Sequence, residues 1–271
     1  MDPVTALTIA GSDSGGGAGI QADLRTFSAH RVHGTSALTA VTAQNTLGVT
    51  HVEVMTANSV LAQIEAVLDD FAIRAVKTGM LATPSLVELV ASVAASGRLP
   101  QLVVDPVLIS TSNHALLAEG GVEAYRHALL PHAFVVTPNL LEAAALADVD
   151  ANEITTVDDL VTLGRLLLAF GANAVLVKGG HLTGERSPDV LVSATEVVIL
   201  DGPRVASTNT HGTGCTLSAA IAANLASGQS LQASCEQAKA YVTSAISSSA
   251  TWRLGRGAGP LDHLGWGHEL P

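Results

Sequence analysis

The stretch Ala72-Ile-Arg-Ala-Val-Lys-Thr-Gly-Met80 carries the pattern on which the fold turns: a short apolar, β-branched run that closes on a lysine, a hydroxyl and a glycine. The pattern returns at residues 6–10 before Gly11-Ser-Asp-Ser-Gly-Gly-Gly17, and at 102–105, which ends in the Asp-Pro-Val-Leu-Ile-Ser-Thr cluster 105–111. It recurs at 133–136 before Thr137-Pro-Asn139, and at 174–177 before Lys178-Gly-Gly180. Helical patterns of roughly 10 to 20 residues lie between these runs, such as 85–96 with Leu86, Val87, Leu89, Val90 and Val93 on one face. Continuous apolar strands alternating with helices read as a mostly parallel sheet with helices on both faces, an α/β three-layer sandwich. In such sheets ligands bind at the carboxyl ends of the strands, so the five polar clusters converge on one cleft.

Working outward, residues 190–192 and 197–200 form an antiparallel hairpin at the sheet edge. Residues 36–42 enter a further strand whose pocket-facing end is Gln44-Asn45. Helices are expected over 20–30, 213–226 and 231–250, and the glycine-rich tail 255–267 is expected to be irregular. No repeat and no linker divides the chain, so one domain spanning 1–271 is expected.

At 271 residues, 48% apolar and 14% charged, the composition excludes a disordered or fibrous chain. A net charge of −11 with 3% aromatics argues against nucleic-acid binding. Cys215 and Cys235 have no metal-ligand or disulfide-framework spacing, and the start of the chain lacks the basic region of a signal peptide. The longest uncharged stretch, 205–235, is full of Ser, Thr, Asn and Gly, so no membrane span and a cytoplasmic location are expected. Among 13 basic residues only Lys77, Lys178 and Lys239 are lysines, and the first two end apolar runs where ligands would bind.

The strongest local motif is Asn209-Thr-His-Gly-Thr-Gly-Cys-Thr216, which leads straight into the helical run 217–225. Glycines at 212 and 214 let backbone N–H groups of 212–215 point at one spot, and the helix start adds its positive dipole end. That is an anion hole suited to charge developing on phosphoryl oxygens. At the same helix start the Cys215 thiol is expected to have a lowered pKa, as nucleophile or as base, against the plainer reading of a small cysteine packing helix on sheet. The cluster Gly11–Gly19 fits neither a dinucleotide fingerprint nor a Walker loop, which leaves close backbone approach to a flat ligand or a flexible turn. Asp105 and Glu142, at neighbouring strand ends, have the chemistry of magnesium ligands, although Glu142 equally suits the first turn of a helix. Lys178, the anion hole and a magnesium ion would together screen a polyphosphate without a basic surface.

AGSDSGGGAGIQAD, AVTAQNT, KTGM, DPV, TPN-L-x-E, VKGGH and HGTGCTLSAAIAA, in that order, resemble the hydroxymethylpyrimidine/phosphomethylpyrimidine kinases of thiamine biosynthesis, a branch of the ribokinase-like fold. The resemblance implies ATP-dependent phosphorylation of 4-amino-5-hydroxymethyl-2-methylpyrimidine to its monophosphate, then of the monophosphate to the diphosphate. It implies a pyrimidine pocket at Gly11, Asp23, Gln44, Met80 and Val107, with Cys215 as base where most ribokinase-like enzymes carry aspartate. Gly212, Thr213 and Gly214 would hold the developing charge. It places Lys178 and Lys239 near ATP, Asp105 and Glu142 toward Mg2+, and it suggests a homodimer. For Lys239 a surface position is the plainer expectation. The first loop reads Asp-Ser-Gly-Gly-Gly where some members have Asp-Pro-Ser-Gly-Gly. The rival expectations are a pyridoxal or pyridoxine kinase of the same fold, a catalytically silent ligand-binding relative and, more remotely, a thiol hydrolase for which only His211 offers a partner.

Overall fold

A computed structural model describes residues 2–108 and 116–269, so the stretch 109–111 of the third polar cluster and the extreme ends of the expected 1–271 domain lie outside the described residues. In chain order the elements are β1 (Thr5–Asp13), α1 (Gly19–Ala29), β2 (His33–Asn45), β3 (Gly48–Val54), α2 (Ala57–Asp70), β4 (Ile73–Thr78), α3 (Pro84–Ala95), β5 (Val103–Val104), α4 (Gly121–Ala124), β6 (Val135–Val136) and α5 (Leu140–Ala147). There follow α6 (Val157–Leu168), β7 (Ala174–Lys178), β8 (Asp189–Ser193), β9 (Val197–Leu200), α7 (Thr213–Ala226), α8 (Leu231–Ser249) and α9 (Trp266–Glu269). Among the described residues nine strands form one sheet in the order β3-β2-β1-β4-β5-β6-β7-β8-β9. Neighbours from β2 to β7 pair parallel, while β3 at one edge and β8 and β9 at the other run antiparallel.

Alternation within the strands builds two cores. Leu7, Ile9, Val76, Val104, Val136, Val175 and Val177 face one way, onto Val60 and Ile64 of α2, Leu86 and Val90 of α3, Ala143 of α5 and Leu163 of α6. Ala6, Ala75, Val103, Val135, Ala174 and Leu176 face the other way, onto Phe27 of α1, Ala219 to Ala223 of α7 and Ala238 of α8. The second core is built from small side chains on both sides, which draws α7 close against the sheet, and every residue of it from Thr216 to Ala226 is buried. Its first turn is thereby held at the carboxyl ends of β1, β4 and β5.

The chain leaves β1 toward β2 on one side and returns to β4 on the other, and such a reversal opens a crevice at the strand ends. Two features go beyond the sequence expectation. β2 runs 13 residues rather than 36–42, and it turns back through Thr46-Leu47 into β3, an edge strand the sequence reading did not contain. The turn carries no Asn-Gly pair; instead the Asn45 side chain accepts the Leu47 N–H at 2.9 Å, a local Asx closure. The tail 255–267 is irregular up to α9 but it is pinned, because the Asn209 side chain accepts the Gly259 N–H at 3.1 Å and donates to the Ser249 carbonyl at 2.6 Å.

Candidate active site

A cavity of about 290 Å³ opens at the strand ends, lined from β1 by Gly11, Ser12 and Asp13, from β2 by Thr42 and Gln44, and from the β4 end by Lys77 and Met80. Asp105, Val107, Asn139, Glu142, Lys178 and His181 continue the wall, and His211 to Cys215 close it. Its size suits a small ring with part of a phosphate chain. Of the expected site residues, Gly11, Gln44, Met80, Val107, Asp105, Glu142, Lys178 and Gly212 to Cys215 all reach this cavity.

Asp23 and Lys239 are not part of its lining. Asp23 lies behind the wall, fully buried, with the Lys77 ammonium 3.0 and 2.8 Å from its two oxygens and the Thr8 hydroxyl donating at 2.6 Å. Burial pushes Asp23 up, but the ammonium and the hydroxyl oppose it. Burial is the largest single effect on Lys77 and would lower it, but the charges of Asp23, Cys215 and Asp105 and the hydrogen bond to Asp23 together outweigh it and hold the ammonium above its usual value. An ammonium chelating both oxygens of a carboxylate with a third donor favours the charged pair. Asp23 therefore does not reach the cavity where a direct ligand contact was expected, whereas Lys77, which it holds, lines the cavity itself. Lys239 donates at 2.7 Å to both Asp189 and the Ser187 carbonyl. It thus secures the far end of the β7–β8 connection, whose near end, Gly180 and His181, lines the cavity.

The glycine cluster lines the cavity through Gly11 and Gly19 and also packs against the second glycine motif. Asp13 accepts N–H groups from Gly15 at 2.8 Å, Gly17 at 2.9 Å and Ala18 at 2.8 Å, curling the loop around its carboxylate. A close backbone approach is made to residues 211 and 212. A Cβ on Gly212, whose φ is +84°, would overlap the Gly17 carbonyl oxygen, and one on Gly17 would overlap the His211 ring. His211 Nε2 lies 2.9 Å from Asp13 Oδ2, so the two glycine motifs are clamped together at the mouth of α1 and α7.

Cys215 is half-buried, in the first turn of α7, with the Gly19 N–H at the start of α1 directed at its sulfur. Two helix starts and the Lys77 ammonium favour a thiolate. Burial wins nonetheless and pushes the thiol up to about 11, contrary to the lowered value expected from the helix start alone. Cys235 is buried in α8 among apolar neighbours, as a packing residue.

On the other side of Cys215, Lys178 at the end of β7 donates to Asp105 Oδ1 at 3.1 Å. A Cβ on Gly214 would come within 3.2 Å of the Lys178 ammonium, so that glycine lets the backbone of α7 approach the charge. Glu142 closes a capping box at α5, accepting the Asn139 N–H at 2.8 Å while Asn139 accepts the Glu142 N–H at 2.9 Å. The helix-cap reading of Glu142 is thus met without excluding a ligand role. Burial, together with the Asp105 charge and against that of Lys178, pushes its carboxyl to about 7. The Asp105 and Glu142 carboxyl groups beside one ammonium are a donor set that suits a hard divalent cation completed by phosphate and water oxygens. Among the described residues no cluster of three or more His, Cys, Asp and Glu gathers for a metal.

The sequence reading assigned no individual role to Lys77, Asp13, Thr42, Asn139 or His181, and it weighed His211 only as a hydrolase partner. Each did carry a signal: Lys77 ends an apolar run, Asp13, Asn139 and His181 stand in or beside the polar clusters at strand ends, and Thr42 ends the expected strand 36–42. Which members of those clusters line the cavity is decided by tertiary contacts.

The family model described as phosphomethylpyrimidine kinase matches residues 13–262. The hydroxymethylpyrimidine/phosphomethylpyrimidine kinase of Streptomyces coelicolor is 49% identical over 266 residues, covering 98% of this chain and 96% of that one. The thiamine biosynthetic bifunctional enzyme TH1 of Arabidopsis thaliana, a chloroplast protein, is 44% identical over 95% of this chain, which spans 49% of that longer protein. Among solved structures, an ADP complex of Bacillus subtilis pyridoxal kinase superposes with a TM-score of 0.87 at 37% identity, over 97% of this chain and 98% of that one.

Proposed function

The chain belongs to the phosphomethylpyrimidine kinase family, and from that premise we infer that it moves the γ-phosphoryl group of ATP first onto the hydroxymethyl oxygen of 4-amino-5-hydroxymethyl-2-methylpyrimidine and then onto the monophosphate so formed, in thiamine biosynthesis. One observation carries this reading. The start of α7, with Cys215, stands between a ring-sized wall of Gly11, Gln44, Met80 and Val107 and a charged cluster of Lys178, Asp105 and Glu142.

The ring enters against Gln44, whose amide offers a donor and an acceptor to the aminopyrimidine edge, while Met80 and Val107 contact its faces. The triphosphate extends toward Lys178, and the N–H groups of residues 212 to 215 meet charge developing on the transferred group. Asp105 and Glu142 would hold Mg2+, which would neutralise phosphate charge. In the first step the hydroxymethyl oxygen bonds to the γ-phosphorus as the bond to the ADP oxygen breaks, and the hydroxyl proton passes to the Cys215 sulfur. The sulfur must be a thiolate at that moment, and the ammonium of Lys77 and two helix starts reduce what that costs. The second substrate is already an anion, so its transfer requires no base. Lys77 and Asp23 stand behind the sulfur as a fixed charge pair. Lys239 serves the nucleotide side indirectly, through the β7–β8 connection.

The reading further includes a single kinase domain, a cytoplasmic location and a homodimer; for the homodimer the resemblance is the whole support, and light scattering checks it. Incubating the protein with the hydroxymethyl pyrimidine, ATP and magnesium, and separately with pyridoxal, tests the activity. Successive mono- and diphosphate products with the pyrimidine preferred are expected; faster formation of pyridoxal phosphate, or no pyrimidine phosphate, would overturn it.

A further inference from the structure

Gln44 has an amide that can be turned two ways, and the groups around it decide which. The Asp13 carboxylate already accepts three backbone N–H groups, and an ionised carboxylate can only accept. His211 Nε2, 2.9 Å from Asp13 Oδ2, must therefore carry the hydrogen. The same nitrogen lies 3.1 Å from the terminal atom of the Gln44 amide placed as Nε2, with Oε1 placed toward Thr42. Two N–H donors cannot face one another, so the amide is turned by 180° from that placement and the atom beside His211 is the carbonyl oxygen Oε1. The other terminal atom, 3.2 Å from Thr42 Oγ1, is then the NH2 nitrogen. This closes the account, because the Thr42 hydroxyl spends its own hydrogen on the Ser12 carbonyl at 2.8 Å and is left as an acceptor.

We propose that His211, held by Asp13, and Thr42 are positioning residues that fix the direction in which Gln44 reads its substrate: acceptor on the α7 side of the cavity, donor on the β2 side. The inference rests on the aminopyrimidine substrate proposed above. In that ring the 4-amino group lies between the ring nitrogen N3 and the carbon bearing the hydroxymethyl group. An acceptor on the His211 side takes the amino group, and a donor on the Thr42 side meets N3. The hydroxymethyl group, beyond the amino group, is then directed toward the start of α7, which follows His211 in the chain. With the amide turned the other way the ring would bind reversed and carry its alcohol away from Cys215. Polar groups outside the ligand thus enforce both the orientation of the ring and the rejection of rings whose edge has donor and acceptor exchanged.

The 4-oxo counterpart of the substrate exchanges them, with C4=O as acceptor and N3–H as donor. The experiment compares kcat/KM for the 4-amino and 4-oxo compounds in wild type, His211→Phe and Thr42→Val. Wild type is expected to favour the amino compound by about 100-fold or more. Each variant frees the amide to turn, so the ratio should fall by about tenfold or more whatever happens to the absolute rates. A role confined to shaping the loop would lower both rates alike, and an unchanged ratio in both variants overturns the proposal. Nitrogen-15 NMR of histidine-labelled wild-type protein reads the imidazole directly and needs no activity. A hydrogen on His211 Nε2 supports the proposal, and its absence overturns it. Should wild type phosphorylate neither compound, the substrate assignment falls, and the NMR result still decides the hydrogen-bond chain.

Discussion

Asp13 is a single carboxylate that organises a loop, a histidine and, through it, a glutamine. Burial would raise its pKa, but His211 and the N–H groups of Ala18 and Gly15 more than offset that and hold it at about 2 instead of 3.8. A carboxyl group depressed in the folded state contributes stability that is present above its unfolded pKa and lost as pH falls through the folded one. The window therefore runs from about pH 4 down to about pH 2, and the contribution is about 2 kcal/mol at neutral pH. Asp13→Asn should lower the unfolding free energy by about that much at pH 7, with the gap to wild type closing as pH approaches 2. Urea titrations at several pH values measure it, and a gap independent of pH would contradict the assignment. At this scale the sequence was legible where a residue type sits in a motif, as with Cys215 and Lys178. It was misleading where burial competes with a local effect, because the helix start at Cys215 can be read from spacing and the desolvation of its sulfur cannot.

Among the elements, the start of α7 and the β7–β8 connection both line the cavity. The limits of α7 were readable, 213–226 in sequence and Thr213–Ala226 in the structure, since Gly212 precedes it and an alanine-rich run continues it. The strands at 103–104 and 135–136 are shorter than the apolar runs containing them, 102–105 and 133–136. β3 escaped the sequence reading, with His51 and Glu53 exposed along it and no turn pair before it. In the β7–β8 connection Arg204 donates to the carbonyls of Gly180 and Gly184 at 2.8 Å each, and to those of Leu182 and Arg186. Lys239 and Asp189 secure its other end. Lys239→Met leaves the Asp189 carboxylate almost buried without its ammonium, and should cost about 1–3 kcal/mol of stability. Its kinetic effect should be a several-fold rise in KM for ATP with KM for the pyrimidine unchanged. Steady-state titration of each substrate checks this; an equal rise in both would show that the lysine serves the whole cavity.

Across the whole molecule, one sheet with a core on each face places the ends of six parallel strands at a single opening, and for five of them that follows from repeated apolar runs ending in polar clusters. The order of the strands does not follow from local pattern, because it depends on which crossover each helix takes. All nine strands share one sheet, so thermal unfolding is expected as one cooperative transition. A non-hydrolysable ATP analogue at about 100 times its Kd should stabilise the fold by about 2.7 kcal/mol and shift that transition upward as a unit. Differential scanning calorimetry reads both, and a two-step melt with only one step moved by nucleotide would contradict the single-domain reading.

The proton acceptor at the head of α7 is tested most directly by the rates of the two phosphorylations in Cys215→Ala. The first, which must remove a proton from an alcohol, should fall by about 100-fold or more, while the second, whose nucleophile is already ionised, should change by less than about tenfold. Equal losses in the two steps would show that the sulfur does not take the proton.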